Sequence, residues 1–366
     1  MVHKKTAYFT FLCLAVSLMM NLLARYSQGF AQWYAVHIYP VFPSAIGRLS
    51  SLWKYSIAEA SVLLIVFGAA ALIILGFCML IVGNRYRKRI FSFSLKFAAC
   101  SIAVLILAYT LTCSVNYHRD SIGDVLRLPK QAPTKETLKK LSLLLVEDIN
   151  RLTGSEEWDY GMLAAADIEY IEYHSINAMK LLGEREPSLA GYYPKPKAVY
   201  FSRQLTGIGI EGIFFPFTME ANYNNDITPF LIPYAICHEM AHVKGYMKED
   251  DAGFIAFLAC RNSPSVVFQY SGLFRALIFT LNALKTEATP EEYNEIFQKL
   301  PEPVKNQLLY VAQHYRERAS VFKPIARSVN NFYLQANAQS GVKSYGRIVD
   351  LLIADYADRI DGMNLL

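Results

Sequence analysis

The first third of the chain alternates long uncharged apolar stretches with short polar ones. Residues 6–24, 60–84 and 97–118 contain no Asp, Glu, Lys or Arg over 19, 25 and 22 positions. At about 1.5 Å of helical rise per residue, each is long enough to cross a hydrocarbon core of roughly 30 Å. The pattern predicts three transmembrane helices, at about 6–25, 60–83 and 97–117. Further on, the apolar period becomes that of an amphipathic helix. Leu138, Leu141, Leu144, Leu145 and Ile149 fall on one side of a helix over 134–153. Helices are also predicted at 162–182, 290–300, 302–321 and 345–357. Residues 197–202 read as a short strand, and 206–218, rich in Gly and Ile with Pro216 inside, as a strand at a sheet edge. Residues 266–284 are apolar except for Arg275, which leaves two pieces too short to cross a membrane alone. A buried or membrane-skimming helix is expected there rather than a fourth span.

The chain therefore divides into a membrane domain (1–117), a polar connector (118–133, with Pro129 and Pro133) and a large domain (134–366). The fold class is α+β, mostly helical with a small sheet. Basic residues set the orientation. Lys4 and Lys5 precede the first apolar stretch, and Arg85, Arg87, Lys88 and Arg89 separate the second and third, whereas the loop over 26–59 holds only Arg48 and Lys54. By the positive-inside rule the N-terminus and the 85–89 cluster are cytoplasmic, and everything after the third span is extracytoplasmic. A cleavable signal peptide is the alternative for the first span, but its apolar core is long and no small-x-small cleavage site follows.

Composition agrees: 53% of residues are hydrophobic and only 18% charged, the balance of a membrane protein. The lipid bilayer is the first expected partner. The net charge of +5 is largely explained by the juxtamembrane clusters, and no basic-aromatic pattern points to nucleic acid. Cys13, Cys78, Cys100 and Cys113 lie in the apolar stretches, as small apolar residues do; Cys237 and Cys260 flank the region considered next, either bridged or as buried free thiols.

One stretch dictates a chemistry. In His238-Glu239-Met240-Ala241-His242, the two histidines stand four apart and share one helix face, where they can bind a single metal ion. Glu239 is rotated just off that face, placed to take a proton from a metal-bound water. Zn2+ suits two imidazoles and a carboxylate with one position left for water. Gly245 reads as the helix stop, followed by Glu249, Asp250 and Asp251 ahead of an apolar run. Those carboxylates either cap the second helix or present a third ligand once the turn at Gly245 folds the chain back.

With these motifs in hand, the chain resembles an uncharacterised bacterial membrane-protein family with a zincin-like (HExxH, gluzincin-type) extracytoplasmic domain. The resemblance rests on residues 215–222 (FPFTMEAN), 238–245 (HEMAHVKG), 249–254 (EDDAGF), 333–337 (YLQAN) and 341–345 (GVKSY). It implies a third ligand just ahead of Ala252, which is Asp251 where the family has Glu, with Glu249 as the alternative; Gly253 stands where Asn is usual. It further implies that the 206–218 strand borders the substrate cleft, and that Glu220 and Asn222 orient metal ligands or line the cleft. The expected activity is that of a zinc metallopeptidase of the cytoplasmic membrane acting on a peptide or protein, with Glu239 as general base. His314, Tyr333 and Tyr345 are candidates for the donor that stabilises the oxyanion. The alternative is a non-catalytic zinc-binding membrane protein with a structural, sensing or scaffold role.

Overall fold

The computed structural model describes residues 2–79, 84–159, 161, 167–337, 339 and 347–363. The 341–345 segment, with Tyr345, lies outside these, as do residues 162–166 of the helix expected over 162–182. The chain forms two compact units, Met1–Arg119 with Phe215–Glu220, and Asp120–Phe214 with Ala221–Leu366.

In the first unit the apolar stretches are helices α1 (Val2–Tyr26), α3 (Ile57–Met79) and α4 (Asn84–Thr112), with the shorter α2 (Phe30–His37) between the first two. Helices α1 and α4 pack together through small side chains, with Cys13, Ser17, Ala24 and Ala103 buried. Polar groups also join them: Asn21 Nδ2 donates to Thr110 Oγ1 (3.2 Å), and Ser114 Oγ donates to Asn21 Oδ1 (2.6 Å). Small residues and an occasional cross-helix hydrogen bond are how helices associate where lipid removes the hydrophobic drive. The three long helices have the length and apolarity to cross a membrane, and only 17%, 6% and 6% of their apolar windows is buried within the protein.

Helix α3 starts on a carboxylate from far along the chain. Glu220 is fully buried and accepts from the backbone N–H of Ile57 (3.1 Å) and Ala58 (2.7 Å) and from the Thr218 hydroxyl (2.8 Å). It satisfies the free donors of the first helical turn, as a negative charge does well at that end. Glu220→Ala is expected to cost about 1–3 kcal/mol, because two buried N–H groups lose their acceptor. Thermal unfolding of the full chain would register this as a lowered midpoint with no change in metal content.

In the second unit, a helical turn at Ile122–Val125 precedes α5 (Lys135–Thr153), which is capped by Thr134 and has its apolar side buried at the positions expected. Then come α6 (Ile168–Arg185), β1 (Lys197–Ala198), α7 (Ser202–Ile208), β2 (Gly212–Phe215) and β3 (Glu220–Tyr223). Residues 206–218 are thus not one strand. Thr206, Gly207 and Ile208 complete α7, Gly209 ends it in the left-handed region (φ 80°), and only 212–215 are extended. The Gly–Ile alternation mimics a strand, but glycines stop this helix as well as they tolerate a strand. The sheet order is β1-β3-β2, with β1 parallel to β3 (Lys197 opposite Asn222, Ala198 opposite Tyr223), so β2 is an edge as expected.

The core gathers on α8 (Ile232–Val243), α9 (Glu249–Arg261) and α10 (Val266–Glu287), which pack successively on one another and on α5. Eleven of the twelve residues of α8 are buried, as are ten consecutive residues of α9. Helices buried all round behave as rigid supports, since each buried large apolar side chain contributes about 1.5–3 kcal/mol. Helix α10, although apolar enough to span, has 67% of its window buried. Its Arg275 ion-pairs with Glu211 and lies over the rings of Tyr234 (5.4 Å) and Phe279 (5.7 Å). Three further helices, α11 (Pro290–Gln298), α12 (Glu302–Glu317) and α13 (Lys323–Ala336), precede α14 (Ile348–Asp355); α13 has no counterpart in the helices read from the pattern.

Candidate metal centre

Helix α8 carries His238 and His242 on one face, their rings 4.8 Å apart and nearly perpendicular. It stops in a defined way. Gly245 adopts φ 83°, its N–H donates to the His242 carbonyl (2.9 Å), and the Tyr246 N–H returns to the Ala241 carbonyl (3.2 Å). This is a Schellman closure, and it reverses the chain so that α9 runs back alongside α8. The reversal also brings the Tyr246 carbonyl to Nδ1 of His242 at 2.7 Å. Nδ1 then donates, which puts the lone pair of the neutral ring on Nε2, the orientation a metal-binding imidazole needs.

Glu249, the first residue of α9, closes the set. Its Oε2 lies 3.1 Å from His238 Nε2 and 3.8 Å from His242 Nε2, and a ligand atom from each of the three residues falls within 4.8 Å of the others. Ligand atoms about 2 Å from a tetrahedral ion stand roughly 3.3 Å from one another, so the three groups fit zinc with little movement. Among the described residues this is the only His, Cys, Asp and Glu group with that convergence.

Asp251 is directed elsewhere. Two residues along a helix from Glu249 it projects nearly opposite, where its buried carboxylate accepts from the backbone N–H of Ile122 (3.0 Å). Glu220 is engaged by the first turn of α3. Asn222 bridges the sheet, Nδ2 donating to the Ile213 carbonyl of β2 (3.3 Å). His314 is buried with Nε2 2.6 Å from the Asp226 carbonyl, and Tyr333 is partly exposed on α13. Cys237 and Cys260 are free buried thiols facing each other.

Glu239 is buried against β2. A methyl group on Gly212 would lie 2.5 Å from its Oε1, so the strand can pass over this carboxylate only as glycine, and the Phe214 backbone also hydrogen-bonds it. Burial raises the Glu239 pKa from its ordinary value; Glu249 adds to this, while the two histidines and the Phe214 contact oppose it. Gly212 is a site residue that the motif did not disclose, although a lone glycine in a strand is a known mark of close approach. The Tyr246 carbonyl, a backbone group, left no sequence signal at all.

The two remaining charges are set by each other. Burial works against ionised Glu249, yet hydrogen bonds from His238 and His242 hold its pKa well below the usual range. Burial likewise opposes charge on His242, but the bond to and charge of Glu249, then the charge of Glu239, raise it to about 9. His242 thus gains a proton on folding relative to its ordinary 6.5. Its stabilising contribution is complete below pH 6.5 and disappears as pH rises through about 9. That proton sits on Nε2, the atom a metal would take. Zinc affinity is therefore expected to climb between pH 6.5 and 9 with release of a proton, while the metal-free chain loses thermal stability over the same interval. Calorimetric titrations in buffers of differing ionisation enthalpy measure the release; pH-independent affinity across that window would contradict it.

Searches of the curated proteins and of the solved structures returned no match. The family part of the resemblance is shown: over residues 34–353 the chain matches the model described as "Protein of unknown function (DUF3810)", and it belongs to that family.

Proposed function

We propose that the chain is a membrane-anchored zinc metallopeptidase of zincin type. His238, His242 and Glu249 hold the metal, and Glu239 is the general base. The observation that carries this reading is the convergence of three ligand atoms from α8 and α9 beside a buried carboxylate one residue after the first histidine. A site that only held structure together would have no need of that fourth group. Zinc, when bound, supplies Lewis acidity, drawing the ionisation of water toward neutral pH and polarising the scissile carbonyl. Glu239 takes the proton of the attacking water and returns it to the leaving amine, a role for which a raised carboxylate pKa is suited. Tyr246, through its carbonyl, keeps neutral His242 in the tautomer with the lone pair on Nε2. The edge strand β2 accepts an extended peptide by main-chain hydrogen bonds, and Gly212 keeps Glu239 within reach of it.

Helices α1, α3 and α4 span the bacterial cytoplasmic membrane, with the N-terminus and the 85–89 basic cluster in the cytoplasm and the metal centre outside. The distribution of Lys and Arg supports this orientation. Substrates are accordingly peptides or proteins at the outer face. The test is cleavage of a peptide library by detergent-purified full chain, read by mass spectrometry. Cleavage that stops on chelation and returns with zinc is expected; cleavage unaffected by removal of zinc would contradict the reading.

A further inference from the structure

Helix α13 faces the wrong way for a soluble surface. Phe322, Ile325, Val329, Phe332 and Tyr333 recur at helical spacing and form one continuous apolar arc. The first four are between 61% and 74% exposed. The opposite side faces the protein: Leu334 is fully buried there, and the stem of Lys323 packs on Gly209 beside α7. An amphipathic helix normally buries its apolar arc and solvates the polar one. Here the inversion leaves a patch of aromatic and branched side chains on the surface, and such contiguous patches mark interaction sites.

The chemistry of its borders identifies the occupant. Arg327 is exposed on the helix and Arg316 is exposed in the last turn of α12, while Lys323–Ala336 contains no Asp or Glu. Exposed aromatics and aliphatics next to cationic residues match the boundary between acyl chains and anionic headgroups. The same chain carries four helices long and apolar enough to cross a membrane, and in three of them at most 17% of the apolar window is buried within the protein. We propose that α13 is an interfacial helix that lies in the plane of an anionic bilayer, its Phe322–Phe332 arc in the acyl region and its basic residues at the phosphates. The proposal rests on insertion of α1, α3 and α4 and on no catalytic role. It makes the second unit a lipid-contacting body in its own right.

The full chain, reconstituted in vesicles of phosphatidylcholine with phosphatidylglycerol, can be labelled by a carbene-generating diazirine confined to the lipid phase and read peptide by peptide. The α13 peptide is expected to label within about twofold of α3, and far above the buried α10. Labelling of α13 should fall about fivefold in the combined Ile325→Ser, Val329→Ser and Phe332→Ser variant, with α3 unchanged as the internal check on folding. In the wild-type chain it should fall when phosphatidylglycerol is omitted, a readout that needs no variant. An unlabelled α13 beside a labelled α3 overturns the proposal. In that case, cross-linking between copies at Val329 would assign the face to a second copy, and water-phase labelling would assign it to solvent. An unlabelled α3 would remove the membrane reading and this proposal together.

Discussion

Glu239→Gln is expected to lower peptide hydrolysis by about 10²–10⁴-fold while leaving zinc bound. The substitution removes a proton acceptor and keeps the volume, in a site where volume matters because the strand backbone at Gly212 lies directly against this side chain. The ligands are untouched, so metal content is the control that separates a chemical defect from a folding one. The size of the effect follows from the role proposed. A group that moves the proton in both halves of the reaction has no substitute in a site where Glu249 is committed to the histidines. Single-turnover cleavage of a peptide found for the wild-type chain, measured beside elemental zinc analysis, checks both parts. Full activity in Glu239→Gln would exclude Glu239 as the base, and loss of zinc would recast it as a ligand.

The second large effect separates two carboxylates that stand two residues apart. Glu249→Ala is expected to abolish stoichiometric zinc binding, because it removes one of three ligands and leaves His238 and His242 alone on their helix face. Asp251→Asn should keep the zinc. Its cost is to stability, about 0.5–1.5 kcal/mol, since the amide oxygen can still accept from the Ile122 N–H but without the charge of the carboxylate. Zinc stoichiometry and thermal midpoint therefore move in opposite patterns in the two variants. Zinc lost in Asp251→Asn and kept in Glu249→Ala would move the third ligand to Asp251, the third residue of the helix.

Why the pair of histidines was legible and the third ligand was not has a simple physical basis. Spacing of four within one helix fixes a shared face whatever surrounds it, so His238 and His242 could be paired from sequence alone. Glu249 and Asp251 project to nearly opposite sides of α9, and only one can reach the histidines. Which one depends on the phase at which α9 leaves the Gly245 turn, a property of the closed turn and not of either residue. The stop itself was readable, because glycine after an apolar helical run signals a left-handed cap. The family resemblance assigned Glu220 to the site, yet its acceptor role depends on Ile57 and Ala58, more than 160 positions away. Length and charge alone placed apolar helices along the first third of the chain, and Arg275 marked α10 as a helix that the protein largely buries. Helix α13 was missed because its polar side, not its apolar one, meets the protein, so its pattern does not announce a core-facing element.

The most direct test of the metal centre is X-ray absorption at the zinc edge on the zinc-loaded full chain. Two imidazole nitrogens and one carboxylate oxygen at about 2.0–2.2 Å, with one further light atom and no sulfur, are expected. A sulfur shell at about 2.3 Å would bring Cys237 or Cys260 into the site, and absence of bound zinc after reconstitution would leave His238, His242 and Glu249 as a hydrogen-bonded cluster with no hydrolytic role.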